Sequence, residues 1–166
     1  LDRDTSGLLL ITDNGPLGFQ LLHPQYHVTK TYEVEVNGLL DDQAVQSFQK
    51  GIVFLDGTIC KPATLTIRSS SSNKSRATVT ISEGKFHQIK RMLAYLGKPV
   101  LYLERVRMGN LLLDPALERG TYRLLTAEEW LALAKLTEET GKPRNFNKKE
   151  SDFLLKKEKT SCNPTK

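Results

Sequence analysis

The chain has 166 residues, room for one domain with a packed core plus a tail, and its 39% hydrophobic and 26% charged content places it among ordinary globular proteins rather than disordered or fibrous ones. No apolar run reaches the roughly 18 residues that a membrane-spanning helix needs, and the two cysteines, Cys60 and Cys162, lie far apart without metal-site spacing, which favours a reduced cytoplasm over a disulfide scaffold. The net charge of +5 is uneven: residues 141–166 hold eight basic and three acidic residues, leaving sixteen of each in the body. Within that neutral body, residues 85–107 carry six basic side chains against Glu104 alone, a patch suited to a positioned polyanion.

In chain order, residues 8–11 are a short apolar run of strand type, ended by the turn signal Asp13-Asn14-Gly15. A helix is predicted over 16–22. Residues 30–36 alternate, with Tyr32, Val34 and Val36 on one face and Thr31, Glu33 and Glu35 on the other, as a half-buried strand does. Asp41 or Asp42 opens a helix through Lys50 that Gly51 stops. Strands are predicted over 52–55, 63–67 and 76–81, and a helix over 86–96 with Phe86, Ile89, Leu93 and Leu96 as its apolar stripe. Residues 100–108 and 121–125 read as strands. Thr126 and Glu129 have capping-box spacing before a helix through Ala134. Beyond Gly141 the composition predicts a flexible basic tail with a short helix near Phe153. The whole predicts an α+β fold: a mixed, mostly antiparallel sheet with flanking short helices.

Three constellations carry chemistry. Leu1-Asp2-Arg3-Asp4-Thr5-Ser6-Gly7 makes a tight polar loop before a strand; it is either a capped turn or a loop that aims a carboxylate into a cleft. Residues 83–92 gather His87, Lys90 and Arg91 on one helix side, either a solvated face or the counter-charge to that acidic loop. Tyr32, among valines, is either core or a ring that stacks on a base. His23 and His27 lack companion ligands, so no metal site is read.

These stretches in this order resemble the pseudouridine synthases of the RsuA family. Leu1-Asp2-Arg3-Asp4-Thr5-Ser6-Gly7-Leu8-Leu9-Leu10 looks like the family's catalytic loop, Lys30-Thr31-Tyr32-Glu33-Val34 like its second motif and Glu83-Gly84-Lys85-Phe86-His87-Gln88-Ile89-Lys90-Arg91-Met92 like its third. Arg105-Val106-Arg107-Met108-Gly109 and Gly120-Thr121-Tyr122-Arg123-Leu124-Leu125 fit as well, and the third motif leans toward the branch that modifies small-subunit 16S ribosomal RNA. The resemblance implies a catalytic domain over 1–135, with the first catalytic strands and an S4-type RNA-binding module upstream, and a flexible basic tail over 136–166. It implies isomerisation of a flipped uridine in ribosomal RNA, with no cofactor and no metal, by a monomer with no membrane attachment. Asp2 is then the catalytic aspartate, Tyr32 the active-site tyrosine and Lys90 the basic partner, at a position where many relatives have arginine. Arg3, Lys30, Lys85, His87, Arg91, Arg105 and Arg107 are the expected RNA contacts. Two rivals stand beside this reading: a non-catalytic RNA-binding or ribosome-assembly module, and a Mg²⁺-dependent phosphatase using Asp2-Arg3-Asp4-Thr5 as its nucleophile loop.

Overall fold

A computed structural model describes residues 1–139 and 154–158. Its strands are β1 (Ser6–Ile11), β2 (Lys30–Asn37), β3 (Thr64–Ser70), β4 (Lys74–Ile81), β5 (Val100–Met108), β6 (Leu111–Leu112), β7 (Tyr122–Leu124) and β8 (Leu154–Glu158). The helices are α1 (Gly15–Leu22), α2 (Asp42–Lys50), α3 (Gln88–Tyr95) and α4 (Ala127–Glu139). The strands form one sheet in the order β3-β4-β2-β5-β1-β8-β7, with β6 on β5. β1 and β5 run parallel and the other pairs antiparallel, so the sheet is mixed and mostly antiparallel, as expected.

Local signals start and stop the helices. The Asn14 side chain accepts from Leu17 N at 3.1 Å to begin α1, and Asp41 accepts from Ala44 N at 2.9 Å to begin α2. Gly51, at φ +83°, ends α2 in a conformation that suits glycine. Before α4, Glu129 N donates to Thr126 Oγ1 while Thr126 N donates to Glu129 Oε2 at 2.8 Å, the reciprocal pair that the sequence predicts.

Two cores hold the sheet. The first packs α2 and α3 on β2, β3 and β4 through Val34, Val36, Phe48, Leu65, Val79, Met92 and Leu93. The second packs α1 and α4 on β1 through Leu8, Leu17, Leu21, Met108 and Leu133. Phe48 is fully buried, and truncating such a ring costs about 3–5 kcal/mol.

Several expectations are corrected. Residues 52–55 form no strand: the chain makes one bridge, Val53 to Ile59, then turns back through Asp56 and Gly57. α3 starts at Gln88 rather than Phe86, because His87 sits in the left-handed region at φ +48° and breaks the helical path. Phe86 is therefore 76% exposed instead of facing the core, and the buried stripe is Gln88, Ile89, Met92 and Leu93. α4 continues past Ala134 to Glu139. Phe153, where a helix was expected, lies outside the described residues, while Leu154–Glu158 is a strand between β1 and β7 within the segment expected to be a flexible tail.

Candidate active site

The acidic loop is a tight turn. Thr5 N donates to the Asp2 carbonyl at 3.0 Å, which folds Arg3 and Asp4 into the turn's centre and brings the carboxylates of Asp2 and Asp4 to the same side. The turn is held from behind by the parallel pairing of Ser6 with Glu104 and Gly7 with Arg105. Gly7 has φ +103°, and a Cβ there would run into the Arg105 carbonyl oxygen and lie 2.7 Å from its nitrogen. Only glycine lets β1 approach β5 this closely.

Lys90, on the first turn of α3, meets both acids. Its Nζ is 3.2 Å from Asp2 Oδ2 and also donates to Asp4 Oδ1. Asp4 is held below the usual carboxylate range chiefly by that hydrogen bond. Burial pulls the Lys90 ammonium down, but its bonds to Asp4 and Asp2 outweigh burial and leave its pKa raised. The His87 ring brings Nε2 to 3.9 Å from Asp2 Oδ1 and stacks on Phe86 with centroids 3.9 Å apart. The loop entering α3 is braced by Gln88, which donates to the buried Glu83 at 2.8 Å and accepts from Lys85 N at 3.0 Å.

Asp2 and Tyr32 line one cleft together with Thr5, Ile81, Lys85 and Leu103. Tyr32, half-buried against the first core, thus has one side on the valine face that its strand pattern predicts and one side on the cleft. Asp2 and Tyr32, from β1's entry loop and β2, line this cleft, and Lys90 of α3 is joined to it through Asp2.

The other predicted residues divide. Arg3 and Arg107 are exposed, the latter donating to Gly109 O at 2.7 Å, and the Lys85 ammonium stands 3.8 Å from Glu83. Arg91 is turned from the cleft: it donates to Asp56 at 2.5 Å and lies 4.0 Å over the Phe54 ring. Lys30 and Arg105 are not surface contacts, being only 4% and 6% exposed. Sequence reasoning missed Asp4 as the second partner of Lys90, although its i, i+2 spacing from Asp2 was a usable signal. It also missed Gln88 and Glu83, whose bracing depends on burial that no local pattern reveals.

The site is thus an acid turn with a shared lysine, beside a cleft that a tyrosine also lines, on a mixed sheet. Residues 1–95 match the RNA pseudouridylate synthase family. Relatives include an uncharacterised RNA pseudouridine synthase of Bacillus subtilis, 43% identical over 78% of this chain and 54% of its own length. Another is the ribosomal small subunit pseudouridine synthase A of Yersinia pestis, 41% identical over the same shares. A crystal structure of a pseudouridylate synthase superposes with TM-score 0.75 at 37% identity, covering 80% of this chain and 56% of that one. The chain belongs to the RNA pseudouridylate synthase family, and it spans about half the length of the relatives it matches.

Proposed function

We propose that this protein converts a uridine of small-subunit ribosomal RNA into pseudouridine, without a cofactor, using Asp2 as the catalytic carboxylate, Lys90 as its counter-charge and Tyr32 as the ring on which the base stacks. The observation that carries this is the Lys90 ammonium 3.2 Å from Asp2, in a cleft shared with Tyr32, within the segment that matches the family. The small-subunit substrate follows the relatives named for that reaction.

A uridine inside a duplex hides N1 and C5, so the nucleotide leaves the stack before it reacts. The N1–C1′ bond then breaks with its electron pair leaving on the uracil, the ring turns, C5 bonds to C1′, and the C5 proton is exchanged for one at N1. The Asp2 carboxylate starts this by adding to C1′, by adding to the base at C6, or by removing a ribose proton. Lys90, 3.2 Å away, holds it in place in each case. Lys85, which lines the cleft, and the exposed Arg3 and Arg107 are the groups available to backbone phosphates.

The test is incubation of the protein with unmodified small-subunit ribosomal RNA in EDTA, mapping pseudouridine by carbodiimide-blocked primer extension. A single new stop that vanishes in Asp2→Asn, while that variant still binds the RNA, is the expected result. Binding without any stop in the parent protein would make the chain an RNA-binding module.

A further inference from the structure

Lys30 is a lysine where lysines are rarely found. It is 4% exposed, and among the described residues its ammonium has no hydrogen bond and no ion pair. Burying an ammonium costs several kcal/mol unless a partner offsets it. Burial accordingly lowers its pKa, with the neighbouring Arg105 guanidinium lowering it further. Arg105 is itself 6% exposed, and its Nε donates to the Leu8 carbonyl at 2.8 Å rather than to a carboxylate.

The register fixes where this pair of cations stands. Lys30 lies directly opposite Ile81 on β4 and two residues before Tyr32 on the same face of β2, and both Ile81 and Tyr32 line the cleft. Arg105 lies opposite Tyr32 and two residues after Leu103, which also line the cleft. Directly opposed residues in an antiparallel pair have Cβ atoms about 4.5–5.5 Å apart, so each cation is one side chain away from the cleft wall. Lys90 is shared by both acids of the turn, whereas Lys30 and Arg105, beside Tyr32 in the register, are paired with no acid among the described residues.

We infer that Lys30, with Arg105 behind it, is the electrostatic seat for the negative charge that develops on the uracil ring during isomerisation. This rests on the reading of the site as a pseudouridine synthase. Whichever of its three roles Asp2 takes, the electron pair of the N1–C1′ bond, or the pair pushed into the ring by addition at C6, resides on the uracil and spreads to O2 and O4. Lys30 stands two residues along β2 from Tyr32 on the same face, so a base stacked on Tyr32 lies beside it. The stem of Lys30 is enclosed by the strands, so its charge is prearranged, the condition under which one fixed charge acts strongly on a transition state. A buried ammonium of this kind is poorly suited to backbone phosphates, which remain in solvent.

The test compares Lys30→Met and Lys30→Arg with the parent protein in single-turnover conversion of the target RNA at saturating protein. Lys30→Met is expected to lower the rate constant by on the order of 100-fold, the scale of losing one preorganised donor. RNA affinity should change by less than about threefold and the salt dependence of binding should not move, because no phosphate contact is lost. Lys30→Arg, which keeps the charge, should recover most of the rate. Cooperative unfolding should show the Met variant at least as stable as the parent, since an unpaired buried charge has been removed. A Met variant at the parental rate, an Arg variant as slow as Met, a loss confined to affinity with a salt slope reduced by about one, or a Met variant that melts well below the parent would each overturn the inference. A parent that makes no pseudouridine removes the underlying reading as well; an active parent with an unchanged Met variant removes this inference alone.

Discussion

Replacing Lys90 with methionine isolates what the shared ammonium does. The stem is retained and the charge removed, leaving Asp2 and Asp4 facing one another across the space that Nζ occupied. Two carboxylate oxygens gathered on one ammonium lie about 5 Å apart, and two unit charges at that distance repel by about 1 kcal/mol in water and about 3 kcal/mol at an effective dielectric of 20. Asp2 is 29% exposed and Asp4 71%, which favours the lower part of that range. Removing the ammonium also removes the hydrogen bond that chiefly lowers Asp4, so the Asp4 carboxyl should titrate higher than in the parent. The sign follows from Asp4, whose depressed pKa favours the folded, ionised site above the ordinary carboxylate value and loses that advantage as pH falls. Single-turnover conversion measured from about pH 4 to 9 should therefore show the acid limb of Lys90→Met displaced upward, with a residual loss of about tenfold or more on the plateau from misorientation of Asp2. Lys90→Arg should keep the parental limb, since it retains the charge. A Lys90→Met profile that falls uniformly at every pH, with no displaced limb, would refute the argument that the ammonium acts by holding Asp4 ionised.

Two further predictions concern the framework. Gly7→Ala should destabilise the fold by about 3 kcal/mol or more in denaturant unfolding, because positive φ and the Arg105 backbone both oppose a Cβ. Activity should be lost in the fraction that stays folded, since β1 must shift and carry Asp2 with it. Gln88→Leu should cost about 2–3 kcal/mol by stripping the buried Glu83 of a donor, and it should expose the segment before α3 to faster amide exchange.

Much of the fold is legible in the sequence because its signals are local. The alternation in β2, the Asp41 and Asn14 caps and the Thr126–Glu129 box each act within a few residues, and each appears where its pattern says. What is not legible depends on distant partners. The parallel pairing of Gly7 with Arg105 and the strand at Leu154–Glu158 are set by residues far along the chain. Residues 52–55 have strand composition but gain only one bridge, because the Asp56-Gly57 turn reverses the chain at once. Phe86 has the period of a core residue and fails as one because a single left-handed residue follows it. At the candidate site, the nearness of Asp2 to Lys90 and the cleft that Asp2 shares with Tyr32 agree with the order of the motifs. The sharing of Lys90 with Asp4, the diversion of Arg91 to Asp56 and the burial of Lys30 and Arg105 required the folded neighbours.

The ion pair between Asp4 and Lys90 spans 86 positions of sequence, and every strand that brings its ends together belongs to the long-range part of the sheet. No fragment ending before α3 can assemble the pair, and a nascent chain has none of the site until α3 has emerged and docked. The cleft is thus a late-forming and early-lost element: a local opening that parts β1 from β5 dissolves it while the first core, built from β2 to β4 with α2 and α3, stays closed. Loss of the contact between Asp2 and Lys90 should accordingly precede loss of bulk structure on heating, making the site a sentinel for the seam between β1 and β5.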